Sequence, residues 1–114
     1  YGTVTGVQTC ALPIWELLEQ AAREEQRYLE FLRVPDLSVG LYQLAAGEAD
    51  PQSPHQEDEV YYVISGRAQI QVGDEIRLVQ AGSIVYVAAE VPHKFVNIEE
   101  DLQILVFFAP AETH

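Results

Sequence analysis

Two imidazoles and a carboxylate stand out in this chain of 114 residues. His55 and Glu59 lie four residues apart at the mouth of the apolar run Val60–Ile64, and His93 comes from a separate segment after Pro92. Side chains alternate across a strand. His55, Glu57, Glu59, Tyr61 and Val63 therefore share one face if the strand is regular there, and His93, Phe95 and Asn97 share another. If both faces point into one interior, two imidazoles and a carboxylate converge. That set, with coordination positions left open, suits non-haem Fe(II), and Mn, Ni or Zn can also occupy it.

Each residue also has a plainer reading. His93 after Pro92 could be a polar residue satisfied by a hydrogen bond, and Glu59 could pair with Lys94 or an arginine. Gly66 and Gly82 read as turn residues at positive φ. Asn97 reads as structural, Glu57 and Asp58 as solvated, and Tyr61 has an alternative as ordinary core. The joint spacing, not any single residue, favours a bound divalent metal.

The elements that must position these groups are mostly strands. An amphipathic helix is expected over about 15–26, with Trp15, Leu18 and Ala22 on one stripe and Leu17 and Ala21 beside it. Arg27–Val34 is rich in strand formers and stops at Pro35-Asp36, and Leu37–Leu44 forms the next strand. Glu48–Pro54 holds two prolines and nothing apolar larger than alanine, a loop that delivers the chain to His55. Val60–Ile64 is a strand turned by Ser65-Gly66. Ala68, Ile70 and Val72 alternate with Gln69 and Gln71, and Gly73-Asp74 turns into Ile76–Val79. Ile84–Val87, His93–Ile98 and Asp101–Ala109 complete the set, the last apolar at Leu102, Ile104, Val106 and Phe108. Short strands at this spacing predict an all-β, antiparallel barrel or sandwich with one helix outside it.

Composition narrows the partners. Eighteen acidic residues against six basic give a net charge of −12. That field repels phosphate backbones and anionic headgroups, so nucleic acid and membrane surfaces are poor partners. It attracts cations, although it also serves plain solubility. No apolar run reaches the roughly 20 residues that span a bilayer. A single cysteine provides no disulfide framework, and a cytoplasmic location is the expectation.

The first fourteen residues carry no charge and hold the only cysteine, Cys10. Residues 4–14, Val-Thr-Gly-Val-Gln-Thr-Cys-Ala-Leu-Pro-Ile, resemble the in-frame translation of a common sequencing-library adapter. Residues 1–14 are therefore expected to be a non-native leader, with one domain over 15–114.

Two longer patterns surround the histidines. Gly47, five residues, Ser53, Pro54, His55, three residues, Glu59, six residues and Gly66 form the first. Gly82, five residues, Ala88, Ala89, Glu90, two residues, His93, three residues and Asn97 form the second. Over roughly Gly47 to Phe108 the chain resembles the cupin superfamily. Its motifs read Gly-x5-His-x-His-x3-Glu-x6-Gly (x4 also occurs before the Glu) and Gly-x5-Pro-x-Gly-x2-His-x3-Asn. Both spacings are kept in full. Ser53 stands where the first metal histidine belongs, and Ala88 and Glu90 replace a proline and a glycine.

The resemblance implies a small single-domain, RmlC-like jelly-roll barrel of six to eight strands with a divalent metal in its mouth, and members commonly dimerise through outer strands. It implies His55, Glu59 and His93 as metal ligands, with Ser53, Gln52 or a water at the vacant fourth position. Tyr61 and Phe95, by parity, should line the cavity, with Tyr61 as a candidate proton donor. Two functions follow. One is a metal-dependent enzyme on a small organic molecule, of dioxygenase or isomerase/lyase type. The other is a sensor or carrier that binds a metal or small ligand without turnover. A metal-free assembly barrel fits least, because it would bury His55, Glu59 and His93 unpaired.

Overall fold

The computed structural model describes residue 11 and residues 13–113. Residues 1–10, with Cys10, and residue 12 lie outside the described residues, as does His114. One helix, α1 (Ile14–Glu24), precedes six strands: β1 (Tyr28–Val34), β2 (Leu37–Leu44), β3 (Asp58–Val72), β4 (Glu75–Gln80), β5 (Ile84–Val87) and β6 (His93–Ala109). All strand pairs are antiparallel, in the order β1-β2-β6-β3-β4, with β5 also on β3. The expected all-β jelly-roll with one short helix is the fold observed. Among the described residues no helix is long and apolar enough to cross a membrane.

The pattern of apolar residues explains two separate cores. β2 and β6 are apolar on both faces because both faces are covered. Tyr42 and Leu44 of β2 and Leu102, Ile104, Val106 and Phe108 of β6 point into the barrel with Tyr61, Val63, Ile70 and Phe95. Their alternate residues, Val39, Leu41, Leu105 and Phe107, face outward and are capped by α1 through Leu17 and Ala21. The buried stripe of α1 thus differs from the expected one. Ile14 opens the helix, so Ile14, Leu17, Leu18 and Ala21 meet the sheet and Trp15 is left exposed.

Two turns read from the sequence are bends within longer strands. Ser65-Gly66 does not end a strand: β3 runs on for 15 residues, with register shifts between Val63 and Gln69. Gly66 sits at φ 99°, and a Cβ there would collide with the Asp101 carbonyl oxygen, so both conformation and clearance require glycine. Opposite it, His93–Ile98 and Asp101–Ala109 are one 17-residue strand, β6. Asn97, at φ 50°, shifts the phase of β6, so His93 and Phe95 face inward before it and Ile98 after it. Asn97 therefore leaves the expected His93 face, lies exposed and donates to Gln69 Oε1 at 2.6 Å. A bulge that adds one residue flips every later side chain to the other face, which simple alternation cannot anticipate.

Candidate metal centre

Glu59 is the second residue of β3 and His93 the first of β6, and both turn into the barrel. Their side chains are 1% exposed, and His93 Nε2 lies 3.0 Å from Glu59 Oε1. His55, in the loop before β3, closes the group: one ligand atom from each of His55, Glu59 and His93 falls within 4.8 Å of the others. The two imidazole centroids are 5.6 Å apart, and Phe108 packs edge-on against His55 at 4.9 Å. The three residues expected from spacing are thus brought together. Glu59 faces neither Lys94 nor an arginine; its neighbour is His93.

The protonation chemistry of this group is constrained. His93 Nδ1 lies 2.8 Å from the Val91 carbonyl oxygen, which can only accept, so Nδ1 carries the proton. In the neutral ring Nε2 then presents a lone pair to a carboxylate oxygen. Glu59 Oε1, Glu59 Oε2 and His93 Nε2 are all buried without a hydrogen-bond partner among the described residues. Lone pairs facing each other out of water are costly unless a cation lies between them. A second proton on His93 answers that need, and its pKa is indeed raised: burial pulls it down, but Glu59 and the Val91 carbonyl outweigh burial. A divalent cation answers it as well, and it also uses the nearby His55. The donor set, one carboxylate and two imidazoles, fits a transition metal.

Beside the cluster is a cavity of about 170 Å³. Its walls are chiefly aromatic and apolar (Tyr28, Tyr42, Tyr61, Val106 and Phe108), with His55, Glu59, Gln52 and Glu112 as the polar groups. Tyr61 takes its expected place there, while Phe95 lies behind it, edge-on at 5.0 Å. The Tyr61 hydroxyl donates to Gln52 Oε1 at 2.8 Å, and burial first, then the Glu59 charge, raises its pKa well above the ordinary value. Gln52 lines the cavity; Ser53 is exposed and does not. A larger groove, about 510 Å³, runs past Arg27 and Ser65, of which Arg27 is paired with Glu48 and Ser65 with Gln103.

Several residues around the site escaped the sequence reading. Asp50 is 8% exposed and accepts three hydrogen bonds, from the Tyr42 hydroxyl (2.6 Å), Gln52 Nε2 (2.6 Å) and the Phe95 amide (2.8 Å). It pins the Glu48–Pro54 loop to the barrel. Tyr28 fits over Gly40, where any Cβ would overlap its ring, and its buried hydroxyl has no hydrogen-bond partner among the described residues. Glu57, expected to be solvated, is 4% exposed because it accepts from Thr113 Oγ1 at 2.9 Å. Glu112 reaches His55 Nδ1 at 3.2 Å, and chiefly for that reason the His55 pKa is raised. Of these, only the apolar alternation around Tyr42 gave a signal; a loop or tail has no periodicity to reveal which side chain turns inward.

Comparison with known proteins agrees with this architecture. The family model described as a cupin domain matches residues 40–108. An uncharacterized protein of Streptomyces coelicolor is 54% identical over 98 residues, 86% of this chain and 93% of that protein. Among solved structures, BH2720 from Bacillus halodurans superposes with a TM-score of 0.80 at 18% identity, over 98% of this chain and 89% of that one. The DMSP lyase DddQ from Ruegeria pomeroyi superposes with a TM-score of 0.64 at 20% identity, over 77% of this chain and 49% of that one. With both histidine motifs carried on the matched barrel, the chain belongs to the cupin family.

Proposed function

We propose that this protein is a metal-dependent enzyme acting on a small, uncharged organic molecule, with His55, Glu59 and His93 as ligands of one divalent ion (Fe, Mn, Ni or Zn). The observation that carries this reading is the buried contact between His93 Nε2 and Glu59 Oε1, two atoms without a hydrogen bond, at the edge of a cavity. Bound there, such an ion would supply Lewis acidity or, if it is redox-active, dioxygen chemistry.

The cavity supports the substrate class. At about 170 Å³ it holds a molecule little larger than benzene, which fills an engineered cavity of roughly 150 Å³ in another protein. No lysine or arginine lines it, while Glu59 and Glu112 do. With Glu59 committed to the ion, a carboxylate or phosphate substrate would meet Glu112 and have only the ion, and no cationic side chain, to receive it. Tyr61 keeps its proton at neutral pH and serves as donor to an oxygen of the substrate, its hydroxyl oriented meanwhile by Gln52. Tyr28 offers a second unengaged hydroxyl on the same cavity wall. The name of the DddQ structure, a lyase, is consistent with lyase chemistry on this fold, though the fold hosts many reactions.

The protein is further proposed to work in the cytoplasm as a homodimer. Ile76, Leu78, Ile84 and Tyr86 are 53–73% exposed on β4 and β5, a run of apolar surface suited to a second copy.

Metal analysis of the purified protein, then oxygen uptake and product detection with catechols, thiols and keto-acids, tests the reading. A stoichiometric metal lost in His93→Ala, with turnover of uncharged panel members, is the expected result. Absence of metal from protein loaded with each of the four ions defeats it. The second reading, a sensor or carrier, is favoured by the serine at the position of the first motif histidine. Its mark would be stoichiometric metal with no turnover of any panel member.

A further inference from the structure

The chain after β6 folds back across the site. Ala111 N donates to the Pro35 carbonyl at 3.3 Å, Glu112 N to Ser38 Oγ at 2.9 Å, and Thr113 Oγ1 to Glu57 Oε2 at 2.9 Å. Arg33 Nη2 donates to the Glu112 carbonyl oxygen at 2.6 Å. Ser38 is fully buried and Glu57 is 4% exposed. Buried polar groups without partners are costly, so these two have their places because the tail meets them. The path they impose sets the Glu112 carboxylate 3.2 Å from His55 Nδ1, with the two side chains 14% and 22% exposed.

A carboxylate can only accept, so His55 Nδ1 carries the proton, and in the neutral ring Nε2 keeps its lone pair. His93 has the same arrangement through the Val91 carbonyl. Histidine ligands generally need a partner on the second nitrogen to fix tautomer and ring orientation. For His93 the local backbone supplies it. His55 lies in a loop, and its partner comes from the tail that leaves β6 where Ala109 pairs with Asp58, more than fifty residues away in sequence. Glu112 is not among the residues whose ligand atoms lie within 4.8 Å of one another, so it acts through His55 and not on the ion.

We infer that Glu112 is a positioning residue of the metal centre: it holds His55 as the Nδ1–H tautomer, so that Nε2 is the nitrogen available to the ion. This rests on the metal reading above. It makes ion affinity depend on a tail that contributes no ligand.

The test uses the full chain, with cobalt(II) as the probe ion, titrated by its visible absorption. Glu112→Leu, similar in bulk but without an acceptor, is expected to weaken cobalt binding about 10- to 100-fold. Glu112→Gln, whose amide oxygen can still accept from Nδ1–H, is expected to recover most of that loss. Nitrogen-15 imidazole spectra of the metal-free protein near pH 8.5 should show His55 as the Nδ1–H tautomer in the wild type and Glu112→Gln, and a mixture in Glu112→Leu. Unchanged cobalt affinity in a folded Glu112→Leu, or the Nε2–H tautomer in the wild type, overturns the inference and leaves the metal reading standing. Failure of the wild type to bind cobalt, or any of the four ions proposed, overturns both. If Glu112→Leu does not fold, a wild-type tautomer ratio that Glu112→Gln fails to preserve decides against the proposal.

Discussion

Glu59 and His93 belong to opposite ends of the ladder between β3 and β6, yet their side chains approach to 3.0 Å. Glu59 pairs with Phe108, and His93 with Val72. A straight strand of β3's 15 residues would span roughly 50 Å, longer than the 39 Å long axis of the molecule. The ladder must therefore curl on itself, and its bulges near Gly66 and Asn97 are where it bends.

The bend makes Gly66 a remote determinant of the site. Gly66→Ala places a methyl group against the Asp101 carbonyl at a φ that L-residues rarely adopt. We expect a loss of about 3 kcal/mol or more in urea unfolding, and weaker metal binding in whatever remains folded. Gly73→Ala is the control: it shares a positive φ but has open space around it, so its loss should be clearly smaller.

The vacant fourth ligand position can be probed from both candidates. Gln52 lines the cavity and Ser53 is exposed. Gln52→His is expected to tighten zinc or cobalt binding about tenfold, as an added imidazole would. Ser53→His should change it much less. The reverse order in a competition titration would mean that the loop brings Ser53 inward when the ion binds.

Alkaline pH should unfold the protein through its cavity tyrosines. Burial raises the pKa of Tyr28, Tyr42 and Tyr61 above the ordinary value near 10, with the Asp50 bond adding to the effect at Tyr42 and the Glu59 charge at Tyr61. Unfolded chains release these protons near pH 10 while the folded protein keeps them. The stabilisation is complete below pH 10 and declines above it, by up to roughly 1.4 kcal/mol per pH unit for each tyrosine. A portion of the phenolate absorbance worth three tyrosines that appears only together with loss of the circular dichroism signal would bear this out. Ionisation of all the tyrosines well before unfolding would contradict it.

The apolar row on β4 and β5 gives a test of assembly. Replacing Leu78 and Ile84, 62% and 73% exposed, by glutamate should turn a dimer into a stable monomer in sedimentation velocity. The fold should survive, because neither residue belongs to the barrel core. A wild type that sediments as a monomer at tens of micromolar would rule the dimer out.

How much of this was readable beforehand follows from the physics of each element. β2 was legible to the residue because Pro35-Asp36 and Ala45–Gly47 bracket an apolar run. β6 was read as two strands, His93–Ile98 and Asp101–Ala109, because the charged pair Glu99-Glu100 interrupts its apolar pattern. They are instead the exposed stretch of a bent strand, with Arg67 paired to Glu99 and Glu100 across it. His55, Glu59 and His93 were legible because both motifs preserve their intervals, whatever the bulges do between them. Glu112 was not, since its partner is set by the route of the tail through Ser38, Arg33 and Glu57, and three-dimensional anchoring leaves no local pattern. Ser53 and Gln52 could not be told apart for a related reason: loops have no parity.

The rolled ladder has one more consequence. When both jaws of a clasp are cut from a single pair of strands, neither rim can fray without letting go of what the clasp holds. Backbone amides near Glu59 and those near His93 should accordingly exchange with deuterium as one block, and an ion seated between them should slow both rims together.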